Sequence, residues 1–74
     1  MAQKEKIIEY SNSEIIKVID EYIHSERDRA ILKRRLIDGI TYEKLAEEFD
    51  LSVAQIKRLI YKGEDYIFRR IKQP

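Results

Sequence analysis

Basic side chains near the carboxyl end of the chain are its strongest chemical signal. Residues 52–74 contain six lysine and arginine side chains and two acidic ones, whereas residues 41–51 contain one lysine and four acidic side chains. Segregated charge of this kind is typical of a protein that directs one face at a polyanion. A charged helix face that is simply solvated has the same composition. Only the positions of these residues on their helix can distinguish the two interpretations.

The residues available for catalysis or metal binding are few. The chain has no cysteine and a single histidine, His24, so it has no thiolate zinc site, disulfide or cysteine nucleophile. Glu14, Asp20 and Glu21 form no convincing acid pair for proton transfer. We therefore expect no catalytic residue, no metal and no cofactor, and we predict that the protein is not an enzyme. His24 is expected to end the first helix, where a cation interacts favourably with the helix dipole.

The length of 74 residues suits one domain with a thin hydrophobic core. The composition is 43% hydrophobic and 39% charged with two glycines and one proline, which is typical of a small helical domain. No stretch approaches the ~18 consecutive apolar residues of a membrane span. Residues 1–10 are charged and lack the apolar segment of a signal peptide. We expect a cytoplasmic protein that does not contact a membrane.

Helix boundaries follow from residues that cap helices. Hydroxyl side chains that suit N-cap positions precede four segments: Ser11, Ser25, Thr41 and Ser52. The first and the last have Glu or Gln three residues later, which is the capping-box spacing. The first helix is predicted over about residues 12–24 and the last over about 53–72. The prediction is an all-α bundle of about four helices within a single domain at 11–74, preceded by an extended or disordered arm at 1–10.

Apolar residues in these segments recur at helical spacing, so each helix has a side to bury. The predicted inward residues are Ile15, Ile19, Tyr22 and Ile23, then Ile31, Leu32 and Leu36, then Ile56, Leu59, Ile60, Ile67 and Ile71. Hydrophobic staples are expected at the helix starts between Tyr10 and Ile15, Ile40 and Leu45, and Leu51 and Ile56.

The two glycines have different predicted roles. Gly39 is expected to terminate the second helix in a left-handed conformation. Gly63 falls on the inward side of the last segment, where it either allows two helices to pack closely or divides the segment into two helices. A glycine inside a helix costs about 1 kcal/mol relative to alanine, which makes a break plausible.

Residues 41–62 have the pattern of a helix-turn-helix, in which two short helices pack at a steep angle. Ala46 is small where the helices would approach most closely, and apolar residues flank it at the expected offsets: Leu45, Phe49, Leu51, Ile56 and Leu59. The turn has Asp50 where the motif usually has glycine. Aspartate is one of the few other residues that tolerate a left-handed conformation, so the pattern is weakened but retained.

About half of the chain, residues 25–62, resembles region four of bacterial sigma factors and the related small helix-turn-helix regulators of phage and Gram-positive genomes. The matching segments are Arg29–Gly39, Thr41–Ala46 and Leu51–Ile56. The resemblance implies that the ligand is double-stranded DNA and that the process is transcription. No segment resembles the separate sigma-factor region that reads and melts the other promoter element, so such a role would require a partner.

In a helix-turn-helix the second helix lies in the major groove with its N-terminal half towards the bases. The residues predicted to contact base edges are Val53, Ala54, Gln55, Lys57, Arg58 and Tyr61. Arg58 suits guanine, Gln55 suits adenine unless its amide caps the helix, and the two apolar residues suit a thymine methyl group.

The residues predicted to contact phosphate groups are Lys33, Arg34, Arg35, Thr41, Tyr42, Ser52 and Lys62. Several of these side chains have a simpler alternative role. Ser52 suits capping, Tyr42 suits packing, and the basic residues suit a solvated face. Arg69, Arg70 and Lys72 either reach the flanking DNA backbone or keep the tail soluble.

The alternative function is a protein-interaction adaptor of similar fold without DNA contact of its own. The formal net charge of +1 favours it, and Glu43, Glu47 and Glu48 would face away from DNA or towards a partner such as RNA polymerase or a phage packaging protein. A DNA-binding module of this size buries little surface, so specificity would need a homodimer or a protein partner. An apolar patch is the candidate for self-association: Tyr66, Ile67, Phe68 and Ile71.

Overall fold

Four α-helices form the part of the chain, residues 12–71, that the computed structural model describes. They are α1 (Asn12–Tyr22), α2 (Glu26–Leu36), α3 (Tyr42–Phe49) and α4 (Val53–Ile71). Because these residues contain no strand, the predicted all-α class is confirmed. No helix among them is long and apolar enough to cross a membrane. The predicted arm at 1–10, the Ser11 cap, the Tyr10–Ile15 staple and Lys72 lie outside the described residues.

The hydrophobic core is built around α4, which packs against each of the other three helices. Ile56, Ile60 and Ile67 of α4 are completely buried, and their spacing places them on one side of the helix. The fully buried residues of the other helices meet them there: Ile19, Ile31, Leu32 and Leu45. All four helices therefore contribute to one core, and the predicted inward sides are confirmed except at Tyr22, which is 40% exposed.

Gly63 lies inside α4, which continues through it without a break. The residue is buried, and a Cβ atom added to it would lie 2.6 and 2.8 Å from the two methyl carbons of Leu32. Real Cβ atoms do not approach carbon this closely, so any other residue would require the Leu32 side chain to shift, whereas glycine accepts this approach of α2 and α4 as it stands. Of the two interpretations of Gly63, close packing of two helices is therefore the correct one.

The joint between α1 and α2 is held by Arg29. Its Nη1 donates to the backbone carbonyl oxygens of Ile23, at 2.7 Å, and His24, at 3.0 Å. Carbonyl groups just past the end of a helix have no partner within that helix, and here an arginine from the next helix satisfies them. The prediction that α1 reaches residue 24 is therefore wrong by two residues, and His24 is an exposed residue of the joint and not of the last helical turn.

Replacing Arg29 with alanine is expected to lower the free energy of unfolding by about 1–2 kcal/mol, because two hydrogen bonds from a charged donor are lost. Urea denaturation followed by circular dichroism measures the change. Arg27→Ala is the matched control, since Arg27 belongs to the same helical turn and pairs only with its exposed neighbour Asp28. That control should change stability by less than about 0.5 kcal/mol. Equal midpoints for the two variants would contradict the role of Arg29 in the joint.

Local hydrogen bonds define the starts of α2 and α3 as predicted. The Ser25 hydroxyl accepts from the backbone N–H of Asp28 at 3.2 Å, and the Thr41 hydroxyl accepts from that of Lys44 at 3.2 Å. Each bond satisfies one backbone donor that the first helical turn leaves free. Both predicted N-caps are confirmed.

Two left-handed residues make the turns on either side of α3. Gly39 has φ 69°, and the backbone N–H of Ile40 beside it donates to the Arg34 carbonyl at 3.2 Å, which closes the end of α2. Asp50 has φ 57° and ψ 46°. The N–H of Leu51 then donates to the Ala46 carbonyl at 3.0 Å. The turn into α4 therefore adopts the conformation usually supplied by glycine, with aspartate in its place.

Candidate nucleic-acid interface

The first turn of α4 is fixed by a reciprocal capping box. The backbone N–H of Gln55 donates to the Ser52 hydroxyl at 3.1 Å, and the backbone N–H of Ser52 donates to the Gln55 side-chain carbonyl at 2.9 Å. The predicted capping box is confirmed, and the carbonyl of Gln55 is engaged by it. A bidentate contact of Gln55 with adenine would have to use the second lone pair of this oxygen together with the amide N–H₂ group.

The first half of α4 presents one exposed side, which we call the outer face of α4. It consists of Ala54, Gln55, Lys57, Arg58, Tyr61 and Lys62. Val53 is half-buried, whereas Tyr61 is 55% exposed. Arg58 and Lys62 form no ion pair or side-chain hydrogen bond with another residue of 12–71. The six exposed residues include three cations, and two of these are unpaired.

An aromatic cluster, Tyr42 with Tyr61, borders the outer face. Their rings meet edge to face with centroids 6.4 Å apart. The Arg35 guanidinium lies 4.2 Å from the Tyr42 centroid, and the Lys57 ammonium lies 5.7 Å from it. A side-chain hydrogen bond with Tyr42 raises the pKa of Tyr61 above its ordinary value. The Tyr61 phenol therefore stays protonated at neutral pH, and the two rings lie beside two cations at one edge of α4.

The contact between Tyr42 and Tyr61 could not be found in the sequence. The two residues are nineteen positions apart on different helices, and no local spacing rule relates them. The helical pattern does predict that Tyr61 is exposed, and it leaves Tyr42 either as a phosphate contact or as a packing residue. In the structure Tyr42 is half-buried and contacts Tyr61, Arg35 and Lys57.

The basic residues of α2 have partners within the protein. Lys33 pairs with Asp20 of α1 at 2.8 Å. Arg34 forms a bidentate ion pair with Glu48 of α3, and the hydrogen bond to Glu48 raises the pKa of Arg34. Arg35 donates to the Ile40 carbonyl at 3.0 Å. These three predicted phosphate contacts therefore join α2 to its neighbours. Glu48 points towards α2, a contact that the sequence did not predict.

The two capping hydroxyls among the predicted phosphate contacts lie at the starts of α3 and α4. Thr41 and Ser52 are both exposed, and each oxygen accepts from a backbone N–H of the following helix. A hydroxyl that accepts one hydrogen bond still has its own proton to donate. Both groups can therefore donate to a phosphate oxygen without giving up their capping role.

The predicted self-association patch at the end of α4 is partly buried. Ile67 is completely inaccessible, and Phe68 and Ile71 pack against the core, because α1 covers this side of α4. Tyr66 alone remains 36% exposed, and its ring meets that of Tyr22 edge to face at 6.1 Å. The Arg70 guanidinium stacks on both rings at 4.2 and 4.4 Å. The four residues therefore do not form a continuous exposed apolar surface, and self-association through them stays a prediction.

Within residues 12–71 no three histidine, aspartate or glutamate side chains are grouped so as to hold a metal ion. Comparison with protein-family models, curated proteins and solved structures found no match to this chain. The sequence and geometry of the chain itself are therefore the basis of any functional assignment.

Proposed function

We propose that this protein binds double-stranded DNA through the outer face of α4 and acts as a transcriptional regulator. The first half of α4 would lie in the major groove, as the second helix of a helix-turn-helix does. Arg58 would read a guanine, and Lys57 and Tyr61 would contact bases or the adjoining backbone. The resemblance of residues 25–62 to sigma factor region four supports this assignment.

The observation that carries the proposal is the exposed, unpaired guanidinium of Arg58 in the second turn of a rigidly capped helix. Most other arginines of the described chain are engaged within the protein, as Arg29, Arg34 and Arg35 illustrate. Burying a cation without a partner would be costly, but an exposed one is free to contact a base edge. The Tyr42–Tyr61 cluster and the capping hydroxyls of Thr41 and Ser52 add donors for phosphate groups on both sides.

The arrangement of acidic residues is compatible with a duplex on α4. The carboxylate of Glu48 is neutralised by Arg34, so one of the charges that would repel DNA is satisfied within the protein. Asp20 is likewise paired with Lys33. The small net charge of the chain therefore does not describe the outer face of α4, whose charged side chains are all cations.

The test is fluorescence anisotropy of labelled duplex pools titrated with protein over a series of salt concentrations. For the Lys57→Ala, Arg58→Ala double variant we expect an affinity roughly 10- to 100-fold lower, with a salt dependence reduced by up to about two counterions. The control, Lys17→Ala with Lys44→Ala, removes the same charge from exposed positions of α1 and α3. It should retain most of the affinity.

A folded, helical protein that binds no duplex at low salt would overturn the proposal. That result would favour the alternative of a protein-interaction adaptor, with RNA polymerase or a phage packaging protein as the partner to test. Equal losses in the double variant and its control would mean that affinity depends on net charge and not on the outer face of α4.

A further inference from the structure

A hollow of about 270 Å³ lies between the first turn of α2 and one side of α4. Arg27 of α2 lines it together with Arg58 and Lys62 of α4, while Leu51 and Leu59 supply apolar lining. Basic side chains from two different helices therefore border one concave space. Arg27 does not belong to the outer face of α4, and helical spacing alone does not relate it to either of the other cations.

The hollow has an excess of positive charge. Asp28 also lines it and pairs with Arg27 at 3.3 Å. Both side chains of that pair are substantially exposed, at 54% and 31%, so the pair is weak and the guanidinium can turn to another anion. Arg58 and Lys62 have no acidic partner among residues 12–71. Three cations thus face a single carboxylate.

We propose that this hollow binds a phosphate group. The Arg27 guanidinium would donate paired N–H bonds to the phosphate oxygens, and the Lys62 ammonium would add a compact charge beside them, while Arg58 at the edge of the hollow reads a base. The proposal deepens the proposed function, because a duplex on the outer face of α4 brings its sugar–phosphate backbone alongside that helix. A free phosphate anion or phosphomonoester offers the same chemistry, so the experiment separates these two sources.

The first arm measures duplex binding by Arg27→Gln, which removes the charge of the side chain and keeps a polar group. We expect the slope of log affinity against log salt to fall by about one, with weaker binding to every duplex in the pool. Lys17→Gln, an equal loss of charge on α1, should leave the slope unchanged. If duplex binds and the two variants give the same slope as the unaltered protein, the phosphate site is overturned while DNA binding stands.

The second arm applies if no duplex binds, and it titrates isotope-labelled protein with inorganic phosphate against chloride at equal ionic strength. NMR shifts confined to residues 27–28 and 55–62 that disappear in Arg27→Gln would support a site for free phosphate or a phosphomonoester. Shifts that are absent or spread over the whole surface would overturn the site. Because Arg27 is exposed and makes no core contact, its variant should melt at the temperature of the unaltered protein.

Discussion

Gly63→Leu is expected to destabilise the fold by about 1–3 kcal/mol, because the added side chain would crowd Leu32. Any side chain at this position would place its Cβ atom within 2.8 Å of both Leu32 methyl carbons. Leu32 is only 1% exposed and belongs to the core, so its side chain would have to shift to make room. Overpacking of a dense core typically costs about 1–3 kcal/mol and sometimes more. Leucine has the higher intrinsic helix propensity, so a loss of stability would arise from the packing of α2 against α4.

Urea denaturation followed by circular dichroism measures this loss, with Lys62→Leu as the matched control at the adjacent exposed position. A double-mutant cycle of Gly63→Ala and Leu32→Ala adds a second test. In the double variant, the methyl group introduced by Gly63→Ala would enter the space that Leu32→Ala leaves empty. The stability lost by the double variant should therefore be smaller than the sum of the two single losses by about 1 kcal/mol or more. Additive losses, or a Gly63→Leu protein as stable as the control, would contradict close packing at this point.

Ile60→Ala is expected to remove about 2–5 kcal/mol of stability, which for a domain of this size is most of the total. Ile60 is completely buried in the stripe of α4 that contacts the other helices, and alanine would leave a cavity there. The adjacent residue, Tyr61, is turned by about 100° around the helix axis and is 55% exposed. Tyr61→Ala should therefore cost only about 1 kcal/mol, mainly through loss of the edge-to-face contact with Tyr42.

The variants Ile60→Ala and Tyr61→Ala also distinguish an effect on stability from an effect on DNA binding. The two variants should differ clearly in melting temperature. The substituted residues are neighbours in the same helix, but one side chain is buried and the other is exposed. Tyr61→Ala should weaken duplex binding while remaining folded, whereas Ile60→Ala should affect binding only through the fraction of unfolded protein. If the two substitutions destabilise the protein equally, the assignment of the inner and outer sides of α4 is wrong.

Local interactions made much of the fold predictable from the sequence. The caps at Ser25, Thr41 and Ser52 depend on residues three positions apart, and such bonds form wherever the chain turns into a helix. The left-handed Asp50 was predictable because its side chain tolerates that conformation. The inward stripe of α4 follows from its periodicity, and that same periodicity predicts which side of the helix is exposed.

Interactions between helices could not be predicted in the same way. Which acidic residue meets Arg34 depends on how α2 lies on α3, and the partner, Glu48, is fourteen positions away. Gly63 could not be assigned because its role depends on Leu32, a residue of another helix. Periodicity predicts that Ile67 faces inward, but the packing of its neighbour Phe68 against the core could not be inferred from α4 alone. For the candidate site, most of the exposed residues of α4 could be predicted. The groups that form hydrogen bonds with the side chains of Arg34 and Arg35 could not.

The unbroken α4 has a consequence for how far the chain can be shortened. At 19 residues it extends about 28 Å, with the outer face in its first half and the Ile67 side chain that α1 covers in its second. An excised α3–α4 fragment ending before Ile67 would expose Leu45, Ile56 and Ile60 to water at the same time. The smallest unit that can present the outer face is therefore nearly the entire four-helix domain. Grafting this surface onto another protein would require transfer of the whole bundle.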